Sequence, residues 1–382
     1  MRKGRGAVVS NGRGIARRRA GLRGASACLA ARRPALHRPI IRAVVAALPR
    51  PDPAVLRDAM AGEASPGRHD RAAERIPALR LIELRQPDGP PAPAPATLRV
   101  AAWNLERCTR VEASAAVLRR AGVAVALLSE MDLGMARSDN RHTTHDIAGA
   151  LGAGALGAGY AFGVEYVELG LGIGRELVDH AGRSNAESLH GNAVVSALPF
   201  RDPFMIPLDP GGAWFGLDWH HRRIGGRMAL GVTVDLARGP VVLVSTHLEN
   251  RSRPEDRRRD MERILAGLEA SAPGLPAVVA GDLNTAAMPD LSAEPGLGWF
   301  EAPARREPLF AAMAAAGFDW RPANTPEQTR RHIADGRPAP RAARIDWLFT
   351  RGLETSAPRT WPALDDAGTP LSDHELITVD IA

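Results

Sequence analysis

What most restricts the fold of this chain is the rhythm of its second part, where short apolar runs alternate with helix-periodic stretches. Runs of strand length cover Leu98–Asn104, Val123–Ser129, Ala193–Ser196, Met228–Asp235, Val241–Thr246, Ala277–Ala280, Arg344–Thr350 and Leu376–Ile381. Between them, Met261, Ile264, Leu265 and Leu268 recur at helical spacing, which predicts a helix from Pro254 to about Ala270, preceded by Ser252 or Arg253 and stopped by Pro273-Gly274. A second helix carries Leu309, Phe310 and Met313 and ends at Gly317. Many strands with interspersed helices predict an α/β domain of layered sheets. With 382 residues, 45% of them hydrophobic, the chain can bury such a core.

The first part reads differently. Residues 1 to 50 hold 13 Lys and Arg and no Asp or Glu, and the run QPDGPPAPAPA (Gln86 to Ala96) fits an extended linker better than a sheet or helix. Residues 1 to 96 are therefore expected to be a mobile basic arm with short helices within 40 to 61, and the folded domain to span 97 to 382. That domain carries 30 basic and 36 acidic side chains, so the formal charge of +6 belongs to the arm. The arm reads as a tether to membrane or nucleic acid, or as a translated upstream region ahead of a start at Met60.

Composition removes several classes of chemistry. Lys3 is the one lysine, whereas Schiff-base enzymes, P-loop proteins and protein kinases all need a placed lysine. Cys28 and Cys108 are too few for a disulfide framework or a multi-thiolate zinc site. No apolar run reaches the ~20 residues of a membrane span. The expected compartment is the cytoplasm, with export by an atypical N-terminal signal as the alternative. A formal GxGxxG at Gly152, Gly154 and Gly157 follows a helix-like stretch rather than a strand, so it reads as a Gly/Ala turn.

The informative polar residues lie at the ends of the apolar runs: Asn104-Leu105-Glu106, Ser129-Glu130, Gly191-Asn192, Thr246-His247-Leu248-Glu249, Gly281-Asp282-Leu283-Asn284, Arg344-Ile345-Asp346 and Leu371-Ser372-Asp373-His374. Sites in layered α/β folds are built at strand ends and their loops. Carboxylate and amide oxygens without thiolates suit Mg²⁺ or Mn²⁺, and the two histidines can contact or protonate an anionic oxygen. Together they describe metal-assisted attack of water on phosphorus. Taken singly, each residue is better read as a cap, a turn or a hydrogen-bonded core position.

In order, the segments AAWNLER, LLSEMD, HGNAVVS, VSTHLE, GDLNT, RIDWLF and SDHELI resemble the endonuclease/exonuclease/phosphatase superfamily over about Leu98 to Ala382. The resemblance implies a four-layer α/β sandwich of two packed mixed sheets with a site at one end. It implies metal contacts from Asn104, Glu130 and Asp373, with Glu130 the principal ligand and Mg²⁺ or Mn²⁺ the ion. It further implies that Asp282 positions or deprotonates the attacking water, Asn284 and His247 hold phosphate oxygens, and Asp346 orients His374. The activity implied is hydrolysis of a phosphate ester, as phosphodiesterase, nuclease or phosphatase. The alternative is a non-catalytic phosphate or nucleic-acid binding module on the same fold.

Substrate contacts are sought nearby. Arg137, Arg141 and His142 are expected as a cationic rim, with Asn192 and Arg227 as further contacts; a solvated loop is the competing reading of the first three. His142 and His145 lack a third ligand for zinc. The loop with Trp214, Phe215, Trp219, His220 and His221 could stack a base, touch lipid or lid the pocket, with packing favoured for at least two of the three aromatics. A negative domain without lysine argues against tracking duplex DNA, so a compact phosphate ester or lipid head group ranks at least level with DNA. No protein partner is implied.

Overall fold

Along a strand, successive side chains face opposite sides of the sheet, and here both sides are buried. The computed structural model describes residues 38–89, 93–151, 157–216, 222–293, 296–333 and 341–382, which belong to one unit within Ala35–Ala382. Its strands, in chain order, are β1 (Val44–Val45), β2 (Ile82–Arg85), β3 (Leu98–Arg107), β4 (Val125–Leu133), β5 (Gly159–Glu168), β6 (Leu189–Ser196), β7 (Phe200–Pro207), β8 (Arg223–Gly225), β9 (Met228–Leu236), β10 (Gly239–His247), β11 (Ala277–Asp282), β12 (Asp346–Arg351), β13 (Thr355–Trp361) and β14 (Leu376–Ile381). One sheet runs β1-β2-β5-β6-β4-β3-β14-β13 with β8 paired to β5, and the other runs β12-β11-β10-β9-β7. Both are mixed: β3 and β4 are parallel, as are β10 and β11, within otherwise largely antiparallel ladders.

The period-two alternation divides the core into three apolar layers. Val100, Ala102, Val125 and Leu127 of the larger sheet meet Leu230, Leu243, Val278 and Leu348 of the smaller one. Their neighbours Ala101, Trp103 and Leu128 face outward onto Val111 and Leu118 of helix Val111–Arg120 and Ile147 of helix Thr143–Leu151. On the far side Val244, Val279, Trp347 and Phe349 pack on Met261, Ile264 and Leu268 of helix Pro254–Ser271 and Phe310 of helix Leu309–Ala315. Helices, sheet, sheet and helices make a four-layer α/β sandwich. Strands β7 and β13, which carry Pro203 and Pro358, occupy sheet edges, where a missing N–H does no harm to the ladder.

The expected boundary near Thr97 is corrected. Residues 38–89 are part of the sandwich: β2 pairs antiparallel with β5 and parallel with β1, and Val55, Ile76 and Ile82 are fully buried. Buried Glu83 ties this segment down, accepting from Leu48 N (2.8 Å) and the Tyr160 hydroxyl (2.7 Å) and meeting His142 Nε2 at 2.8 Å. Burial works against its charge, but His142 and Tyr160 hold it below the usual carboxylate range. The Pro-rich run is also anchored, since Ala237 N donates to Pro95 O and Asp88 N to Gly157 O. A chain started at Met60 would cut helix Pro53–Met60, whose N-terminus Asp52 caps. The expectations for residues 1–37, for Gly152 and Gly154, and for Trp219, His220 and His221 lie outside the described residues. No helix among the described residues is long and apolar enough to cross a membrane.

Candidate active site

In the smaller sheet the register alone places three side chains in a row. His247 pairs with Asp282 across parallel β10–β11, and Asp282 with Asp346 across antiparallel β11–β12. Gly281 permits this close seam: its φ is 145°, and a Cβ there would stand 1.8 Å from Thr246 O. The larger sheet supplies the opposite wall. Asn104 lies opposite Ser129 on β3–β4, and both strands then slip register, with Glu130 at φ 58° and Glu106, Arg107 and Cys108 at φ 41°, 76° and 51°. Asn284, beyond β11, has φ 47°. Left-handed backbone at a non-glycine residue costs roughly 1–2 kcal/mol. Its concentration at these strand ends marks where the fold trades stability for the aim of particular side chains.

Those side chains converge. Asn104 Nδ2 donates to Glu130 Oε1 (3.1 Å) and Asp282 Oδ2 (3.2 Å), bridging the two sheets, while Asn104 Oδ1 accepts from Glu106 N at 3.1 Å. Asp282 Oδ2 also lies 3.3 Å from His247 Nε2 and 3.7 Å from His374 Nε2. Asp282 Oδ1 accepts from Asn284 N at 2.9 Å. His374 Nδ1 faces both oxygens of Asp346, at 3.0 and 2.9 Å. The loop carrying it is tied to β3: Ser372 Oγ donates to Asn104 O (2.6 Å), Asp373 N to Glu106 Oε2 (3.1 Å) and Trp103 Nε1 to His374 O (2.9 Å).

The electrostatics separate the two histidines. Burial would push His374 down, but Asp346, Asp282 and Asp373 outweigh it and raise the imidazole to about 10. His247 is pushed down to about 4 by burial and by the charge of Arg227. At neutral pH one ring is therefore cationic and the other neutral, a division suited to separate donor and acceptor duties. Burial raises Asp282, yet His374 and His247 hold it far below the usual range, whereas burial together with Asp282 raises Asp346.

Asp282, Asp346 and His374 place one ligand atom each within 4.8 Å of one another. Asp346 takes up His374 Nδ1, which leaves Nε2 as the ring nitrogen open to an ion or an anion. The oxygens of Glu130 and Asp282 suit a hard divalent cation. They come from different sheets to the same amide, and carboxylate oxygens are hard donors. The donor set fits Mg²⁺ or Mn²⁺.

The remaining expected residues are distributed otherwise. Asn284 Nδ2 donates to Leu248 O (2.8 Å) and lies 3.4 Å from Asp282 Oδ2. Asp373 Oδ1 is 3.8 Å from His374 Nε2. The cationic rim is corrected: Arg137 is buried, bidentate to Asp132 (2.9 and 2.8 Å) and paired with Glu168 (2.8 Å), and Arg141 pairs with Asp146 and Glu112. His142 belongs to the Glu83 knot. Arg227 is buried between Glu165 (3.0 Å) and Glu249 (3.3 Å) and lies under the Tyr166 ring; Asn192 Nδ2 donates to the same Glu165 at 3.0 Å. Burial raises Glu165 to about 7 against both partners. Arg227 thus acts on the site through its field at His247 and Asp282. Trp214 and Phe215 pack, Trp214 donating to Glu249 Oε2 at 2.8 Å.

Two residues escaped the sequence reading. Arg107 pairs with Glu130 and, at 3.3 Å, with Glu176; its position immediately after the strand-end triplet Asn104-Leu105-Glu106 was the available signal. Thr329 Oγ1 accepts from both Ile345 N (3.0 Å) and Asp346 N (3.1 Å), fixing the start of β12, and nothing in its own neighbourhood announced that.

Comparison with known proteins agrees with this layout. The sequence model described as the Endonuclease/Exonuclease/phosphatase family matches residues 101–374. An endonuclease/exonuclease/phosphatase from Beutenbergia cavernae DSM 12333 is similar in structure, with TM-score 0.53 and 23% identity, over 75% of this chain and 71% of that one. Humanized D. rerio TDP2 carrying 14 mutations gives 0.45 and 13%, over 75% and 99% of the two chains. The human Nocturnin catalytic domain with bound sulfate gives 0.47 and 16%, over 75% and 93%. No curated protein matches the sequence.

Proposed function

We infer the reaction from two facts: this chain belongs to the endonuclease/exonuclease/phosphatase family, a family of phosphoester hydrolases, and its strand ends gather Asn104, Glu130, His247, Asp282, Asp346 and His374 at one point. The protein hydrolyses a phosphate ester with the help of a divalent cation. Of the two carboxylates that share Asn104, Glu130 would be the principal holder of Mg²⁺ or Mn²⁺, with Asn104 and Asp373 alongside, and Asp282 would face the water. When bound, the ion supplies positive charge against the charge that grows on phosphoryl oxygens.

The protein's own groups do the rest. Asp282, ionised throughout the working pH range, accepts a hydrogen bond from the attacking water, orients it and takes its proton as the bond to phosphorus forms and the bond from phosphorus to the ester oxygen breaks, the departing oxygen taking a proton from solvent. Protonated His374 donates from Nε2 to a phosphoryl oxygen, a charge-assisted contact that strengthens as that oxygen gains charge. Asp346 fixes the ring by accepting from Nδ1. His247, neutral, keeps the Asp282 carboxylate in place through Nε2, and Asn284 adds a backbone N–H to the same carboxylate.

The observation that carries this reading is the His247–Asp282–Asp346 register with His374 laid across it from the other sheet. Arg137 and Arg227 are committed to buried carboxylates and Arg141 to Asp146 and Glu112, so these three are not free to follow a long phosphate backbone. A compact phosphate ester is the favoured substrate.

The test offers purified protein bis-p-nitrophenyl phosphate, p-nitrophenyl phosphate and nicked or abasic DNA, with Mg²⁺, with Mn²⁺ and with chelator. Expected are metal-dependent turnover of at least one ester and a loss of at least about 100-fold in Asp282→Ala. Turnover that survives the chelator, or an Asp282→Ala variant as active as wild type, would refute it, and tight phosphate binding without hydrolysis would replace it by a binding module.

A further inference from the structure

The segment ahead of β12 forms a short antiparallel pairing with the loop that carries His374. Arg330 bridges to His374; the bonds on either side run from Arg331 N to Asp373 O (2.7 Å) and from Glu375 N to Thr329 O (2.7 Å). That pattern makes Arg330 and His374 a non-hydrogen-bonded pair, the arrangement with the closer side chains, both on one face of the ladder. His374 directs its ring toward Asp346 and Asp282. Arg330 therefore leaves the backbone toward the same side.

Nearby arginines on this segment are already engaged. Arg331 pairs with Glu375, and buried Arg344 donates to Glu327 O (3.0 Å) and Asn324 Oδ1 (2.8 Å). Arg330 has no carboxylate partner among the described residues, and its Nε is buried without a hydrogen-bond acceptor. A guanidinium beside an imidazole and lacking an anion has an unmet demand for one.

We propose that Arg330 is a substrate-contact residue that binds an anionic oxygen of the phosphate group on the His374 side of the site. This rests on the phosphoester reading above and adds to it a second cation. The preferred ligand is then a phosphate with at least two free oxygens, one reached by His374 and one by Arg330.

The experiment is calorimetric titration of the full chain with inorganic phosphate in Mg²⁺ buffer, in wild type, Arg330→Ala, Arg330→Lys and Arg321→Ala, the last an exposed arginine paired with Asp319. Arg330→Ala should weaken phosphate by about tenfold or more, Arg330→Lys by less, and Arg321→Ala not at all, with thermal midpoints preserved. If Arg330→Ala does not fold, Arg330→Gln is read in its place. Equal phosphate affinity in wild type and Arg330→Ala, an equal loss in Arg321→Ala, or no uptake by wild type overturns the proposal. Because binding is measured without turnover, a protein that binds phosphate through Arg330 yet hydrolyses no ester sinks only the proposed function.

Discussion

Replacing Asp346 by Asn keeps the shape of the group beneath His374 and removes its charge. With Nδ1 2.9 Å from the carboxylate, Coulomb attraction at an effective dielectric of about 20 is ~6 kcal/mol. At 1.36 kcal/mol per pKa unit that is ~4 units. Asp282 and Asp373 remain, so His374 should fall from about 10 to the neighbourhood of its ordinary value near 6.5. The sign follows: a raised histidine keeps its proton up to its folded pKa and loses it above. The wild-type rate, so far as it depends on imidazolium, stays level to about pH 9. In Asp346→Asn it drops tenfold per unit above about pH 6.5, a deficit of ~30-fold at pH 8 that closes to about 1.1-fold at pH 5.5. Initial rates on the best ester at saturating Mg²⁺ across pH 5.5–8.5 read this directly, and an NMR titration of the His374 ring reads the pKa. A wild-type-to-variant ratio constant over that range would refute the assignment of His374 as the proton-bearing donor.

Arg137→Met leaves buried Asp132 without its arginine and Glu168 with Arg223 alone, so urea unfolding at pH 7 should show a loss of about 3–5 kcal/mol. Arg137 and His190 hold Asp132 down to about 2 despite burial. The stability this carboxylate contributes is thus present above its ordinary value near 4 and disappears as pH falls toward 2, and the gap between variant and wild type should narrow at acid pH. A chain begun at Thr97 removes β2 from β5 and uncovers the core that Val55, Ile76 and Ile82 complete. At roughly 1.5–3 kcal/mol per buried side chain its thermal midpoint should fall by more than about 10 °C, or it should aggregate; an unchanged midpoint would restore the boundary at Thr97.

How far the sequence discloses the site depends on whether a residue's duty is set by its own strand or by another. Asn104, His247, Asp282 and Asp346 are legible because each ends or begins an apolar run, and sheet register then aligns them without further information. Residues 38–89 are not, because β2 reads Ile-Glu-Leu-Arg and its Glu83 becomes a core residue only when Leu48, His142 and Tyr160 surround it. Arg137 is misread for the same reason: its burial depends on Asp132 and Glu168, which lie on two different strands. Charge counting fails in one direction here. The acidic excess of residues 97–382 argued against tracking duplex DNA, but a count does not say where charges lie: Arg137, Arg227 and Arg257 are all buried against carboxylates, the last held by Glu307 at 2.6 Å. An internal pair removes one charge of each sign from the field a ligand meets, so affinity for an anion follows from the cations left over. Beside His374 that leaves Arg330, and one guanidinium with one imidazolium matches a single phosphate group far better than a polymer.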